Sequence, residues 1–229
     1  MDNLTILTVN FNTPEYIFAL SKSLKKFFPE YKNSLIVVDN STKKVYTEGT
    51  YNDLKIVYFD NNNYKELEDL KPSKYPAAGN YNSAHHCLTL DWAIKNLVKT
   101  DYLLLLDSDI VFTKQVKPYF DEFVKNDYAL YGFKRTTYKC PAIAPWCCFI
   151  NVKKMRELNI NYYDFNRILY VNDNLTHDTG ASLYEDFIKA ECKIKETPDN
   201  YFWLHFKGGS VFKARGLMWL KQHSQYWSI

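Results

Sequence analysis

The chain has 229 residues, of which 46% are hydrophobic and 24% are charged, and its formal net charge is +3. This length and composition predict a folded chain with a sizeable core and exclude intrinsic disorder. Because 29 basic residues nearly balance 26 acidic ones, and no basic stripe with interleaved aromatic residues occurs, we expect no nucleic-acid partner.

The sequence also bears on the cellular compartment. The first residues form an acidic, strand-like segment in place of a signal peptide, and no apolar run approaches the ~20 residues that cross a bilayer. The five cysteines are odd in number and include no C-x-x-C pair, which is typical of reduced thiols and argues against a zinc site. We therefore expect a cytoplasmic protein.

The first half of the chain alternates strands and helices. Hydrophobic runs predict strands at 4–9, 35–38, 54–59 and 102–107, and apolar residues at helical spacing predict helices after Pro14 and over 83–98. Thr13 is placed to cap the first of these helices. The order of elements predicts an α/β fold with a mostly parallel, doubly wound central sheet. A polar stretch at 60–79 predicts a long loop.

The second half has a less regular pattern. It predicts helices at 116–124 and 181–191, strands at 128–133, 146–151, 193–195 and 201–206, and an aromatic tail. No linker separates two domains, so we expect a single domain over residues 1–229. Within it we distinguish a first half at 1–112, a second half at 113–210 and a tail at 211–229.

Two acids one residue apart, Asp107 and Asp109, end the uncharged strand at 102–107. Open α/β sheets place their ligands at the carboxyl ends of the strands. Two carboxylates there repel each other unless a cation lies between them, and a divalent cation that also holds phosphate oxygens fits this position. The pair indicates an enzyme that handles a nucleotide diphosphate, and a solvated acidic turn is the alternative.

Four segments occur in an order that resembles the GT-A fold glycosyltransferases that use nucleotide sugars, especially the large family 2 group. The segments are Thr8-Val9-Asn10-Phe11-Asn12, Val37-Val38-Asp39-Asn40-Ser41, Asp107-Ser108-Asp109 and Trp203-Leu204-His205-Phe206-Lys207-Gly208-Gly209-Ser210. The resemblance covers about residues 4–210 and is loose in the second half. It implies a GT-A (Rossmann-like) fold with an acceptor-binding second half, and metal-dependent, inverting transfer of a sugar from a nucleotide diphosphate, UDP by default, to a hydroxyl group.

The resemblance implies that three residues of the first half hold the nucleobase. Val9 would act through its backbone and Phe11 by stacking, while Asp39 would accept a hydrogen bond from a ring N–H. For Asp39 the alternative is a turn residue that bonds its own backbone, and for Phe11 it is core packing.

The resemblance also implies a metal site for Mn²⁺ or Mg²⁺ formed by Asp107, Asp109 and His205. Asp107 and Ser108 would also contact the nucleotide, and His86 is a candidate contact to the donor phosphate or ribose. An ordinary half-buried histidine is the alternative for His205, and a polar residue on a helix is the alternative for His86.

An inverting enzyme of this kind needs a carboxylate that takes the proton from the acceptor hydroxyl. The resemblance implies that this base lies at the start of a helix, about two to three dozen residues before the C-terminal histidine. Asp178 precedes a predicted helix and lies 27 residues before His205, so it is our candidate. Glu185 and Asp186 are the alternatives because they form a Glu-Asp pair, although their position predicts the interior of a helix. A helix cap is the structural alternative for Asp178.

Two other functions stay open. A nucleotidyltransferase shares the sheet and a two-acid metal site, but it usually carries a glycine-rich basic loop after the first strand, where this chain has Asn10-Phe11-Asn12-Thr13-Pro14. A catalytically inactive relative that binds sugar or nucleotide is the second alternative. The acceptor is a glycan, a lipid-linked molecule or a protein, and the aromatic tail allows peripheral membrane contact or an oligomer contact.

Overall fold

The computed structural model describes residues 2–44, 46, 49–51, 53–60, 81–136, 140–162, 164, 167, 171–172, 175–206 and 213–228. Within these residues there are twelve strands and six α-helices, so the predicted α/β class is confirmed. The loop predicted at 60–79, apart from Asp60, and the glycine pair at 208–209 lie outside the described residues.

An eight-stranded sheet forms the centre of the fold. Its strands are β1 (Leu4–Asn10), β2 (Leu35–Asp39), β3 (Gly49–Tyr51), β4 (Leu54–Tyr58), β5 (Tyr102–Asp107), β7 (Leu130–Arg135), β8 (Ala142–Asn151) and β11 (Ile194–Thr197). They lie in the order β11-β7-β8-β5-β1-β2-β4-β3. Only β3 and β8 run against the other six strands, which confirms the mostly parallel sheet.

Alternate residues of β5 explain why its sequence is an unbroken apolar run. Leu103 and Leu105 point into one buried cluster, whereas Leu104 and Leu106 point into another. The two clusters cover the two faces of the sheet, as expected for a central strand of a parallel sheet.

Helices pack beside this sheet. They are α1 (Pro14–Phe27), α2 (Tyr81–Leu97), α3 (Lys117–Lys125), α4 (Val152–Glu157), α5 (Ala181–Lys189) and α6 (Lys213–Gln222). Thr13 occupies the position before α1, but its side chain makes no capping hydrogen bond. Its hydroxyl donates to Asn10 Oδ1 at 3.1 Å, so the predicted side-chain cap is wrong because a buried acceptor at the end of β1 takes the hydroxyl.

Two small two-stranded sheets complete the fold, and the sequence predicts only one of their four strands, the one at 201–206. β6 (Ile110–Phe112) pairs antiparallel with β12 (Trp203–His205), and β9 (Val171–Asn172) pairs with β10 (Leu175–Thr176). The first pair matters most, because it places His205 opposite Ile110, directly beyond the Asp107–Asp109 turn.

The C-terminal helix α6 lies against α1. The phenol of Tyr16 sits so close to Gly216 that a Cβ added to the glycine would lie 1.2 Å from Tyr16 Oη. Leu220 is buried beside the same tyrosine in a small cluster with Ala19 and Val111. Among the described residues, no helix combines the length and the apolar character needed to cross a membrane.

Candidate active site

The carboxyl ends of three parallel strands meet at one edge of the sheet. In the register of β1 with its neighbours, Val9 lies between Val38 of β2 and Asp107 of β5. Asn10 pairs with Asp39 one step further. The polar ends of these strands therefore form the floor of a common site, where open α/β sheets hold ligands.

Two carboxylates and one imidazole converge at this edge. The potential ligand atoms of Asp107, Asp109 and His205 all lie within 4.8 Å of one another. His205 Nε2 is 3.0 Å from Asp109 Oδ1 and 3.6 Å from Asp107 Oδ2. Residues almost a hundred positions apart in the sequence are thus assembled into one cluster.

The backbone and a tryptophan hold His205 in this cluster. The amide of Phe206 donates to the carbonyl of Asp109 at 3.0 Å, which fixes the end of β12 against the acidic turn. The indole of Trp146 stacks on the imidazole of His205, with ring centroids 4.9 Å apart and an angle of 24° between the planes. Phe133 stacks on the same indole at 5.9 Å.

The cluster has an excess of negative charge. Burial raises the pKa of Asp107; the imidazoles of His86 and His205 oppose this rise, and the carboxylates of Asp109 and Asp178 add to it. These contributions indicate that His86 and Asp178 lie near the cluster of Asp107, Asp109 and His205. A divalent cation would relieve the repulsion among the three carboxylates.

The donor atoms of the cluster fit the expected cofactor. Carboxylate oxygens suit Mg²⁺ and Mn²⁺, and an imidazole nitrogen shifts the preference toward Mn²⁺. Asp107, Asp109 and His205 offer this mixed set, and they do so from the rigid ends of β5 and β12 and the turn between β5 and β6. The residues present therefore fit Mn²⁺ better than Mg²⁺.

Asp39 lies in a buried hydrogen-bond network and is only 1% exposed. Its Oδ1 accepts from Asn10 Nδ2 at 2.9 Å, from Ser41 Oγ at 2.6 Å and from the Ser41 amide at 3.3 Å. The bond to the amide two residues on is the turn geometry that the sequence left open as an alternative. Any contact with a nucleobase has to be made by a carboxylate that the strand ends already fix in place.

The turn after β1 exposes an aromatic ring. Phe11 is 46% exposed, so the alternative of core packing is wrong for this residue. Asn12 follows with a φ of 59°, and its amide donates to Ser41 Oγ at 2.9 Å. The turn is therefore tied to the end of β2, and Phe11 is presented to solvent at its tip.

The two remaining nucleotide candidates of the first strand and the acidic turn are more enclosed. Val9 is a partly buried residue of β1 and packs against the core. Ser108 shares a hydrogen bond of 3.1 Å with the hydroxyl of Thr13. This bond connects the Asp107–Asp109 turn to the start of α1.

Asp178 lies just before α5 and is 8% exposed. Arg135 Nη1 donates to its Oδ2 at 2.6 Å, the hydroxyl of Ser83 donates to Oδ1, and the amide of Thr179 donates to Oδ1 at 2.8 Å. The backbone carbonyl of Asp178 accepts from the amide of Ala181 at 3.0 Å. The side chain is oriented by an arginine from β7 and a serine from α2.

Glu185 and Asp186 lie inside α5, as the sequence predicts. Arg167 donates to both oxygens of Asp186 at 2.8 and 2.7 Å and to Glu185 at 3.4 Å. His177 Nε2 is 3.1 Å from the other oxygen of Glu185, and Cys140 joins these two residues in a second group whose potential ligand atoms lie within 4.8 Å. Both alternative bases are thus held by Arg167 within α5, just as Asp178 is held by Arg135 before it.

Sequence reasoning missed Arg135 and Ser83. The predicted strand at 128–133 stops short of Arg135, which is the last residue of β7. A strand that ends at the same sheet edge as β1 and β5 is the signal that could have found this arginine. Ser83 carries no such signal, because it is one of several polar residues near the start of α2.

No protein-family model and no curated protein matches the sequence. Solved structures do share its fold. The galactosyltransferase LgtC, in complex with donor and acceptor sugar analogues, superposes with a TM-score of 0.53 at 15% identity, over 86% of this chain and 74% of that one. TarS residues 1–349 from S. aureus superposes with a TM-score of 0.55 at 15% identity, over 92% of this chain and 62% of that one.

A protein assigned as a glucose-1-phosphate thymidylyltransferase from Bacillus anthracis, in complex with sucrose, also superposes. Its TM-score is 0.54 at 9% identity, over 99% of this chain and 96% of that one. The comparisons confirm the predicted GT-A-like fold. Because this fold also occurs in a nucleotidyltransferase, the choice of reaction has to come from the site.

Proposed function

We propose that the chain is a metal-dependent glycosyltransferase that moves a sugar from a nucleotide diphosphate, UDP in the first instance, to an acceptor hydroxyl with inversion. The observation that carries this proposal is the cluster of Asp107, Asp109 and His205 at the carboxyl edge of the sheet. Such a set, next to strand ends that hold ligands in open α/β sheets, suits a cation-bound diphosphate.

The donor half of the site would hold the nucleotide. Asp107, Asp109 and His205 would hold Mn²⁺, which neutralises charge on the departing nucleotide diphosphate when it is bound. The exposed ring of Phe11 is available to stack on the base, and Asp39 would fix its orientation. Val9, Ser108 and His86 complete the proposed nucleotide contacts from β1, the acidic turn and α2.

The acceptor half would carry the proton transfer. The acceptor hydroxyl attacks the anomeric carbon of the sugar, the bond from that carbon to the phosphate oxygen breaks, and Asp178 takes the hydroxyl proton. Asp178 is favoured over Glu185 and Asp186 because Arg135, which holds its carboxylate, is the last residue of β7 at the carboxyl edge of the sheet. The two alternatives are held by Arg167 within α5. Arg135 and Ser83 hold its carboxylate in one orientation.

A nucleotidyltransferase is the second candidate, because the thymidylyltransferase has the same fold. The turn after β1 argues against it. Asn10 and Thr13 bond each other and the strand ends, and no lysine, arginine or glycine occurs from Asn10 to Pro14 to bind a triphosphate. The proposal includes a cytoplasmic location and a glycan, lipid-linked or protein acceptor.

Thermal stability with nucleotides tests the donor class. UDP, GDP, dTDP, CMP and a nucleoside triphosphate would each be added separately, with and without Mn²⁺. A ligand at about 100 times its dissociation constant stabilises the native state by roughly 2.7 kcal/mol, which is readily seen as a shift in Tm. We expect the shift with UDP and only when Mn²⁺ is present. A shift with the triphosphate alone would favour the nucleotidyltransferase, and no shift with any nucleotide would favour the inactive relative that binds sugar.

The variant Asp109→Asn sharpens this test. It removes one anionic ligand while keeping the size of the side chain, so we expect Mn²⁺-dependent UDP binding to disappear and transfer to fall by about 10³-fold, the scale for a lost electrostatic group. Asp121→Asn is the matched control, since Asp121 forms only an exposed pair with Lys117. Unchanged Mn²⁺-dependent binding in Asp109→Asn would remove this residue from the metal site.

A further inference from the structure

Two helices present an apolar surface to solvent. Phe18 of α1 is 54% exposed, and Leu217 and Met218 of α6 are 43% and 62% exposed. Phe18 and Leu217 line the same cavity between α1 and α6, and Met218 is the next residue after Leu217 on the exposed side of α6. Exposed apolar residues that are grouped rather than scattered mark an interaction surface. We call this group the α1/α6 surface.

A cavity joins the two helices beneath this surface. It has a volume of about 540 Å³ and is lined by Phe18, Leu217, Leu220 and Trp227, together with the charged residues Glu15 and Lys221. The ring of Phe18 meets Trp227 edge-on, with centroids 6.3 Å apart. The apolar character of the surface therefore continues inward between α1 and the C-terminal segment.

Cations lie one helical turn from the exposed apolar side chains. Lys22 follows Phe18 by four residues, and its Nζ is 4.5 Å from the centroid of the phenyl ring. Arg215 precedes Met218 by three residues and Lys221 follows it by three, which places all three on one side of α6. Long cationic side chains beside apolar ones can keep their charge at a headgroup while their stems lie along apolar surface.

We propose that the α1/α6 surface docks this protein on an anionic lipid bilayer. Phe18, Leu217 and Met218 would enter the headgroup region, and Lys22 and Lys221 would meet anionic headgroups. Basic helices with an apolar face are characteristic of binding in the plane of the membrane. A bilayer fits better than an acidic peptide, because the most exposed apolar side chain, Met218, projects from the helix rather than lining the cavity.

The surface is separate from the reacting groups. Phe18, Lys22 and Met218 have no part in the cluster of Asp107, Asp109 and His205. Docking on lipid therefore does not depend on the proposed transfer reaction, and the two proposals can fail independently. Binding of UDP with Mn²⁺ serves as a readout that a change on the α1/α6 surface should leave intact.

Cosedimentation of the full chain with vesicles tests this proposal. Vesicles of phosphatidylcholine alone would be compared with vesicles that also contain phosphatidylglycerol, at low and high salt. We expect binding to the anionic vesicles, release at high salt, and loss of binding in Met218→Asp. Lys22→Gln should weaken binding about fivefold, which corresponds to about 1 kcal/mol for each basic residue near an anionic surface.

Leu158→Asp is the matched control, because Leu158 is 44% exposed and lies after α4, away from this surface. It should bind vesicles as the unchanged protein does, and both variants should keep Mn²⁺-dependent UDP binding and their far-ultraviolet circular dichroism. Absence of binding to either vesicle, or unchanged binding by Met218→Asp, would overturn the proposal. A dimer in solution that Met218→Asp converts to a monomer would also overturn it, and would assign the surface to self-association.

Discussion

Two buried carboxylates, one in each half of the molecule, are satisfied in different ways. Asp39 of the first half accepts from the side-chain amide of Asn10 and the hydroxyl of Ser41, which are neutral groups at the ends of β1 and β2. Asp178 of the second half also has neutral donors, but it is paired in addition with the guanidinium of Arg135. Neutral donors contribute modestly and one at a time, whereas loss of one partner of a buried ion pair leaves an uncompensated charge.

This comparison predicts that the stability of the second half is the more sensitive to loss of one partner. Arg135→Gln should lower the free energy of unfolding by about 3 kcal/mol or more, because it removes the cation that is paired with the buried carboxylate of Asp178. Urea denaturation measures this change. The neighbouring Lys134 makes a more exposed pair with Glu196, so Lys134→Gln should lower stability by only about 1 kcal/mol or less.

A double-mutant cycle isolates the pair itself. If Arg135 and Asp178 act on stability through each other, Arg135→Gln combined with Asp178→Asn should be less destabilised than the sum of the single changes. Additive effects would mean that each side chain contributes through other contacts, and the contrast between the two halves would then lose its basis.

The chemistry provides the next test. Asp178→Asn should leave Mn²⁺-dependent UDP binding intact and reduce the transfer rate by about 100-fold, a usual scale for a lost general base. Asp186→Asn is the matched control on α5, where the carboxylate is held by Arg167. Steady-state rates would reverse the assignment if the larger loss occurred in Asp186→Asn.

Substitutions in the network around Asp39, in the first half of the chain, should lower stability less. Ser41→Ala removes a hydroxyl that donates to Asp39 and accepts from Asn10 and Asn12, and should lower the free energy of unfolding by about 1–2 kcal/mol. Thr42→Val is the control, since the Thr42 hydroxyl makes an exposed bond and its loss should change stability by less than about 0.5 kcal/mol. A loss for Ser41→Ala as large as that for Arg135→Gln would make the two halves equivalent.

The smallest effect on folding is expected at Phe11. Because its ring is nearly half exposed, Phe11→Ala should change the free energy of unfolding by less than about 0.5 kcal/mol. Loss of stacking on a base should nevertheless weaken UDP binding about fivefold or more, since such stacking is worth about 1–3 kcal/mol. Phe18→Ala, another exposed phenylalanine, should leave the UDP affinity unchanged in the same calorimetric titration.

The two halves also differ in how far the sequence predicts them. The site at the carboxyl edge of the sheet follows from chain order, because β1, β2 and β5 are parallel and each carries its polar residues directly after its apolar run. The apolar run therefore predicts both the strand and the place where Asp39, Asp107 and Asp109 emerge. The resemblance locates His205, and the strand predicted at 201–206 contains β12. The pairing of β12 with the short strand β6, which brings His205 to Asp109, has no local signal in the sequence.

The ion pairs of the second half join residues that no local sequence pattern identifies as partners. Arg135 and Asp178 are 43 residues apart and lie outside any shared motif, and Arg167 meets Asp186 across a further segment. Ion pairs of this kind are fixed by tertiary packing, so the sequence predicts that charged residues are present but not which ones meet. Thr13 shows the same limit at short range, since a buried acceptor overrides its local preference for capping.

Gly216 sets how closely the last helix can approach the rest of the molecule. Its hydrogen atom faces the Tyr16 phenol at a distance where a methyl group would overlap the oxygen, and the ring of Tyr16 lies over Phe206, next to His205. A Cβ at position 216 would clash with Tyr16 and push α6 away from α1. The distance between α6 and α1 thus depends on the absence of a side chain at position 216, and a substitution there would leave Asp107, Asp109 and His205 unaltered.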